Sequence, residues 1–147
     1  MTGHDIVGTS AMLVSAKNLY VKRSTIPGAG LGLFTRIAIP KGSLIAEYKG
    51  KISTWKEVQH HNGSNPYILY LSGNHVIDAL PYKKALARFA NDAKGFNKLR
   101  GKTNNAIYVS AGRRVYIQAT KNIPALSEIL VNYGKEYWDT MKYNQSI

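Results

Sequence analysis

Residues able to hold a polar ligand occur in the stretch LARFANDAKG, residues 86–95. The side-chain amide of Asn91 offers two donors and an acceptor, and Asp92 follows it in a chain with few acids. The same pair is typical of a surface turn, because Asn and Asp side chains bond to their own backbone. Taken alone, this stretch favours a turn, and ligand binding depends on what lies beside it.

A glycine-rich stretch, STIPGAGLGLFT at residues 24–35, is the second candidate. Glycines let the backbone approach a ligand closely, because no Cβ intervenes. The stretch is not a dinucleotide-binding fingerprint, since no βαβ pattern surrounds it. A glycine turn that leads into a strand is the plainer interpretation.

The third candidate is SEILVNYGKEYW, residues 127–138. Tyr133 follows an apolar run and directly precedes a glycine, and two more aromatic residues come after it. A tyrosine hydroxyl beside a glycine bend can orient a reacting group. The plainer interpretation is an aromatic anchor for the carboxyl-terminal end of the chain.

The residue types do not support metal binding or disulfide formation. The chain has no cysteine, which excludes a disulfide framework and a thiolate zinc cluster. His60 and His61 are adjacent, so on a helix their side chains point apart. His4 and His75 have no partner at ligand spacing, and we therefore expect no metal site.

The charge of the chain is its clearest compositional feature. Lys and Arg number 20 against 8 Asp and Glu, for a formal net charge of +12. Such a balance favours nucleic acid, nucleosomes or acidic protein surfaces as partners. The length of 147 residues fits one domain. The amino-terminal residues make a poor signal peptide, and no apolar run is long enough for a membrane span, so we expect a soluble intracellular protein.

Short β-strands separated by Gly, Pro and Asn dominate the predicted secondary structure. The hairpin formed by the sixth and seventh strands turns at residues 111–113. A helix is predicted over 53–61, where Thr54 and Glu57 have capping-box spacing. Shorter helical turns are predicted within 82–90 and 135–142. The predicted strands are 18–23, 30–36, 43–50, 67–71, 75–78, 105–110, 114–120 and 127–133.

The three candidate stretches occur in the order expected of a SET domain, the catalytic domain of protein-lysine methyltransferases. The segments IPGAGLGLFTRIAIPKGSLIAEYKG, VIDALPYKKALARFANDA, TNNAIYV and ATKNIPALSEILVNYGKEYW carry this resemblance. It covers about residues 18–138 and is closest to PR-type and minimal SET domains. It leaves an amino-terminal extension, 1–17, and a tail, 139–147.

The resemblance implies a mostly β fold, the SET β-clip of small sheets with a carboxyl-terminal pseudoknot and few short helices. It also implies S-adenosyl-L-methionine as the cofactor, bound where the RFANDA turn crosses the VNYG segment. Tyr133 is the implied catalytic residue, and Tyr48 and Tyr108 are implied to line the lysine channel. Tyr137 or Trp138 would pack against the adenine or close the channel. The implied cofactor-binding residues are Gly30, Leu31, Gly32, Arg88, Asn91, Asp92, Tyr133 and Trp138.

Several positions depart from the family pattern. Asp92 and Ala93 stand where the family has His and Ser, and Asn132 stands where it has an acid before the catalytic tyrosine. The family's GEEL run is here LSEIL, beginning at Leu126. The flanking cysteine clusters of many SET domains are missing, so residues 134–147 or a partner must cover the site.

The expected activity is lysine N-methylation, with a histone or nucleosome as the substrate and the nucleus as the location. A +12 chain repels basic histone tails, which favours intact nucleosomes through DNA, or an acidic non-histone target. The basic loop 94–104 is the predicted DNA contact, and the chain is expected to be a monomer or homodimer. One rival is a catalytically weak SET-like module that binds nucleic acid or protein. Another is an unrelated basic β domain that binds nucleic acid.

Overall fold

The computed structural model describes residues 4–5, 13–58, 67–72, 75–83, 85–94 and 101–133. Within these ranges the chain forms three small sheets and little helix, as the resemblance implied. No helix among these residues is long and apolar enough to cross a membrane. The division into extension, domain and tail stays a prediction.

The strands belong to sheets of four, three and three strands. Their orders are β1-β8-β9-β4, β10-β3-β2 and β5-β7-β6. All neighbours pair antiparallel except β1 and β8. The strands are β1 His4–Asp5, β2 Leu19–Arg23, β3 Leu31–Thr35, β4 Leu44–Glu47, β5 Lys51–Ser53, β6 Ile68–Ser72, β7 His75–Asp78, β8 Ala106–Ala111, β9 Arg114–Ala119 and β10 Glu128–Ile129.

The predicted hairpin is confirmed as β8 and β9, which pair from Ala106 with Ala119 to Ala111 with Arg114. Alternate residues of β9 are buried and form part of the core, as period-two patterning requires. Gly112 in the turn has φ 63, a left-handed conformation that glycine adopts without a Cβ penalty. This hairpin is the centre of the largest sheet.

Two helical predictions are confirmed within the described residues. Helix α1 spans Trp55–Val58, and its first turn is capped because the Glu57 backbone N–H donates to the Thr54 hydroxyl at 3.3 Å. A 3-10 helix covers Leu86–Phe89, and another covers Ala16–Asn18. The remainder of the helix predicted to residue 61 and the turn at 135–142 lie outside the described residues.

The strand predicted over 43–50 is wrong in its second half. Strand β4 ends at Glu47, and the chain then crosses to another sheet as β5. Gly50 makes the crossing possible, because a Cβ there would lie 2.6 Å from the Asp78 carbonyl oxygen. The strand predicted over 127–133 is likewise shorter, and only Glu128–Ile129 is regular strand.

The segment after β10 runs between two other parts of the chain. The Val131 N–H donates to the Asn91 carbonyl at 2.8 Å, and the Asn132 N–H donates to the Ala106 carbonyl at 3.2 Å. Single parallel bridges join Leu130 to Asn91 and Val131 to Ala106. This threading is the crossing implied for the pseudoknot, and it places residue 133 directly behind residues 90–92.

The core consists of inward-facing strand residues and three buried tyrosines. Aliphatic residues of all three sheets belong to one cluster, which joins the small sheets into one hydrophobic unit. The cluster also contains Tyr48, Tyr108 and Tyr133. Aromatic side chains are therefore built into the core at the place where the three candidate stretches converge.

Candidate active site

The glycine-rich stretch forms the turn between β2 and β3. The Ser24 N–H donates to the Gly30 carbonyl at 2.8 Å, which closes the turn. Gly30 has φ 74, and apart from its chain neighbours no atom of the described residues lies within 4 Å of where its Cβ would stand. The backbone at this point is therefore exposed and open to a ligand.

Gly32 meets a different constraint, because its α-carbon lies against a buried carboxylate. A Cβ there would overlap the Glu128 carboxylate and would lie 3.3 Å from the Ser24 α-carbon. Glu128 is 5% exposed. Its carboxylate accepts from the Ser24 hydroxyl at 2.7 Å and from the Thr25 N–H at 2.9 Å and hydroxyl at 2.6 Å. Glu128 thus fastens the glycine turn to β10.

Asn91 connects the glycine strand to the carboxyl-terminal segment. Its side-chain Nδ2 donates to the Leu31 carbonyl at 2.9 Å and lies 3.5 Å from Glu128 Oε2. Its backbone carbonyl accepts from Val131. Among the described residues its Oδ1 accepts no hydrogen bond, so this oxygen is available as an acceptor. The structure therefore brings the three candidate stretches together at Asn91.

Asp92 is buried and its carboxylate is directed at protein donors. Oδ2 accepts from the Tyr133 N–H at 2.9 Å. Oδ1 accepts from the Lys94 N–H and from Asn104 Nδ2, both at 2.8 Å. Asn104 is held in turn by its Oδ1, which accepts from the Ala93 N–H at 2.8 Å. The cofactor-binding role predicted for Asp92 is untested, and its contacts fix the tyrosine segment.

The three tyrosines predicted for the lysine channel form one aromatic cluster. Tyr48 and Tyr108 meet edge to face with ring centroids 5.6 Å apart. Tyr108 and Tyr133 are stacked at 6.5 Å with an interplanar angle of 22°. The Tyr48 hydroxyl donates to the Tyr67 carbonyl at 2.9 Å, and the Tyr133 hydroxyl donates to the Ala90 carbonyl. Residues distant in sequence thus form a single aromatic wall.

Arg88 lies beside the site and braces its scaffold. Its Nη1 donates to the carbonyls of Ala79 and Leu80 at 2.9 and 2.8 Å. Its guanidinium lies 4.2 Å from the Tyr67 ring centroid and 5.2 Å from that of Phe89. Arg88 thus ties the 3-10 helix Leu86–Phe89 to the two residues that follow β7, and its predicted cofactor contact stays a prediction. Trp138 lies outside the described residues.

The site is distinct from an apolar cavity lined by described residues. That cavity has a volume of about 740 Å³ and lies between the amino-terminal residues, β4 and the segment before the 3-10 helix. Leu13, Ile45, Tyr82 and Leu86 line it, and none of the predicted site residues does. The candidate active site is therefore identified by its hydrogen bonds and aromatic contacts and not by this cavity. Within the described residues no group of three His, Asp or Glu side chains could hold a metal ion.

Comparison with known proteins identifies the family of the chain. The family model for the SET domain matches residues 30–134. The chain belongs to the SET-domain family. That match contains the turn at Gly30, the Asn91 turn and Tyr133, which are the features that the structure brings together.

Named relatives of this SET domain are histone methyltransferases. It is 32% identical over 122 residues to the histone-lysine N-methyltransferase ASHH1 of Arabidopsis thaliana, over 78% of this chain and 24% of that protein. It is 33% identical over 114 residues to the H3 lysine-36 specific histone-lysine N-methyltransferases of mouse and human, over 73% of this chain and 4% of theirs. The chain thus spans a quarter or less of these relatives.

Solved structures confirm the fold. The SET domain superposes with a TM-score of 0.64 on a chain of the ctPRC2 complex in an autoinhibited conformation bound to S-adenosylmethionine. The match covers 90% of this chain and 17% of that one, at 22% identity. The likeness shows that the two share the SET architecture.

The site residues fit the cofactor that the family implies, S-adenosyl-L-methionine. The ammonium of an amino acid needs oxygen acceptors, and Asn91 Oδ1 is one on a side chain that is bonded to the glycine strand at Leu31. A sulfonium is cationic and suits the aromatic and carbonyl surroundings of Tyr133. No metal is needed to hold such a molecule.

Sequence reasoning missed the central role of Glu128. The signals were an acid in an otherwise apolar strand of an acid-poor chain and its place in the LSEIL run that matches the family's GEEL. A strand acid more often faces solvent, so its burial against Gly32 was not predictable from the local pattern.

Proposed function

We propose that this SET domain is an S-adenosylmethionine-dependent protein-lysine N-methyltransferase that acts on histone lysine in chromatin. The observation that carries the proposal is the joining of Tyr133 to the Asn91 turn, next to the tyrosine cluster. When bound, S-adenosylmethionine supplies the methyl group and a good leaving group. The protein must supply a binding surface, a dry channel and alignment.

The channel residues favour the reactive form of lysine. Free lysine has a pKa of about 10.4, and only its neutral amine is a nucleophile. Tyr48 and Tyr108 are almost fully buried, and aromatic walls that exclude water disfavour the ammonium form. They also accept the methylene stem of the side chain.

Alignment is the remaining contribution of the protein. The hydroxyl of Tyr133 and the carbonyl of Ala90 form a polar point beside the aromatic wall. This point directs the lysine amine toward the methyl group by hydrogen bonding. Positioning of this kind accounts for much of the acceleration of a displacement reaction.

The histone substrate and nuclear location are proposed from the names of the relatives. The positive charge favours the nucleosome over free tails, because DNA attracts a basic domain. The DNA contact through loop 94–104 stays a prediction, since residues 95–100 lie outside the described residues. A monomer or homodimer is equally compatible with the fold.

The test is transfer of a labelled methyl group from S-adenosylmethionine to free histones, nucleosomes and a cell lysate. Native chain, Tyr133→Phe and Tyr82→Phe are compared. Tyr82 is the matched control, because it is a 46% exposed tyrosine outside the cluster. We expect native and control to label one protein, and Tyr133→Phe to lose about a hundredfold. No label on any protein, with no thermal stabilisation by the cofactor, would refute the proposal.

A second function, binding of nucleic acid by a catalytically weak module, is favoured by a cationic strip of one residue on β2 and two residues that lie just before β2 and just after β3. The strip consists of Lys17, Lys22 and Arg36, all exposed. Lys22 Nζ lies 4.6 Å from the Phe34 ring centroid, and the Arg36 guanidinium lies 4.6 Å from that of Tyr20. Residues 6–46 contain no Asp or Glu. Aromatic rings thus support Lys22 and Arg36, and Arg36 Nε donates to the Lys17 carbonyl at 3.2 Å, in a part of the sequence that carries no acid.

The salt dependence of DNA binding tests this second function. Each phosphate contact changes the slope of log K against log salt by about 0.9. Replacing Lys17, Lys22 and Arg36 by Gln should therefore reduce the slope by about 2.7. Neutralising Lys51, Lys56 and Lys83 is the control with equal charge loss. Equal slopes for both triple variants would show that binding follows net charge and would remove the strip from consideration.

A further inference from the structure

Asp92 stands at the position of the histidine in the SET-family motif, yet its carboxylate is buried and accepts several hydrogen bonds. The side chain is 4% exposed. Among its contacts within the described residues are three donors, from residues 94, 104 and 133. All three are N–H groups, which cannot turn round to act as acceptors.

We propose that Asp92 is the positioning residue for the catalytic tyrosine, Tyr133. The inference rests on the proposed function, because it assigns to Asp92 the placement of the residue that aligns the lysine. The carboxylate holds the backbone of Tyr133 through the N–H, at 2.9 Å. This bond thereby fixes the position from which the Tyr133 side chain extends into the aromatic cluster.

The turn around Asp92 holds Tyr133 at a second point. The Tyr133 hydroxyl donates to the Ala90 carbonyl, and its N–H donates to Asp92. Asn91, between these residues, donates to the Leu31 carbonyl of the glycine strand. One three-residue turn therefore fixes both the tyrosine and the glycine strand, so a shift at residue 92 changes their relative position.

Only a carboxylate satisfies this arrangement. In Asp92→Asn the new amide has nearly the same shape, but one of its two arms becomes a donor. If the NH₂ faces Tyr133, it meets that N–H. If it is flipped, it meets Lys94 and Asn104, and Asn104 cannot invert because its Oδ1 already accepts from Ala93. In either orientation the new NH₂ group faces at least one other donor, so the tyrosine segment must move.

The first test measures the bond itself and needs no activity. In the native chain labelled with ¹⁵N and ¹³C, a through-hydrogen-bond coupling should join the Tyr133 amide nitrogen to the Asp92 carboxyl carbon. In Asp92→Asn the Tyr133 amide should exchange with solvent about tenfold faster. Asp78→Asn is the matched control, because Asp78 accepts a backbone N–H from Leu80 at 3.0 Å. No coupling in the native chain would overturn the proposal, even if the variant failed to fold.

The second test separates positioning from general destabilisation. Asp92→Asn should lower kcat by about a hundredfold, a much larger change than any in the Kd for S-adenosylmethionine. The same change made on Tyr133→Phe should have little further effect, since the hydroxyl to be positioned is gone. A loss that adds fully to that of Tyr133→Phe would overturn the positioning role.

The two proposals fail in different ways. A native chain with the coupling present but no methyl transfer would leave the bond intact and refute the proposed function. A native chain that transfers methyl groups while Asp92→Asn retains full kcat would refute the positioning role alone.

Discussion

Leu126 has a backbone conformation that suits glycine, and this makes a counterintuitive prediction about stability. Its φ is 68, the one positive value of a non-glycine residue among those described. Its N–H donates to the Thr35 carbonyl at 2.7 Å, so the turn before β10 cannot relax freely. The SET family places glycine here, at the start of its GEEL run. We therefore expect glycine to be more stable than alanine at this position.

The magnitude follows from two opposing terms. A left-handed residue with a Cβ costs roughly 1–2 kcal/mol, which Leu126→Gly relieves. Glycine adds freedom to the unfolded chain and loses about 0.4–1 kcal/mol relative to alanine. The free energy of unfolding of Leu126→Gly should thus exceed that of Leu126→Ala by about 0.5–1 kcal/mol. Leu126 is 69% exposed, so either variant gives up only about 0.5–1 kcal/mol of leucine burial.

The assay is urea unfolding of both variants, with Ala125→Gly as the control one residue away. At that control position glycine should be less stable than alanine, as is usual, and the free energy of unfolding should fall by about 0.4–1 kcal/mol. In thermal melts, Leu126→Gly should unfold a few degrees above Leu126→Ala, at about 2–4 °C per kcal/mol. If alanine proves more stable than glycine at 126 by the margin found at 125, the left-handed backbone carries no cost and the reasoning fails.

Three further predictions concern the site and its supports. Gly32→Ala would press a methyl group against the Glu128 carboxylate, so unfolding should become easier by about 1–3 kcal/mol; an unchanged urea midpoint would contradict that close packing. Burial, and secondarily Arg113, lower the pKa of His75. Its stabilisation is therefore complete above the ordinary pKa of 6.5 and is lost as the pH falls through the folded pKa. Native chain should lose more stability than His75→Gln between about pH 7 and pH 5, and parallel pH curves would refute this. Arg88→Lys keeps the charge but loses the planar guanidinium that lies over the Tyr67 ring, so urea unfolding should show a loss of about 1–3 kcal/mol. Native stability in this variant would argue against the bracing role.

Local patterns were sufficient for most of the secondary structure. Alternating residues in 105–120 predicted the β8–β9 hairpin, and the Thr54 and Glu57 spacing predicted α1. These features depend on neighbours a few residues apart, which the sequence displays directly. The break after Glu47 was missed because it depends on the approach of Gly50 to Asp78, a contact between residues far apart along the chain.

The order of the motifs in the chain was enough to indicate the SET family, its mostly β fold and the identity of Tyr133 as the residue of interest. Family motifs survive as short local patterns, because each supplies backbone geometry or a particular side chain. The interactions that make these patterns into a site are long-range. Ser24 and Glu128 are 104 residues apart, and Asp92 and Tyr133 are 41 apart. A carboxylate in a sequence shows its charge but not its donors, so the burial of Glu128 and the convergence of three N–H groups on Asp92 emerge only when the chain is folded.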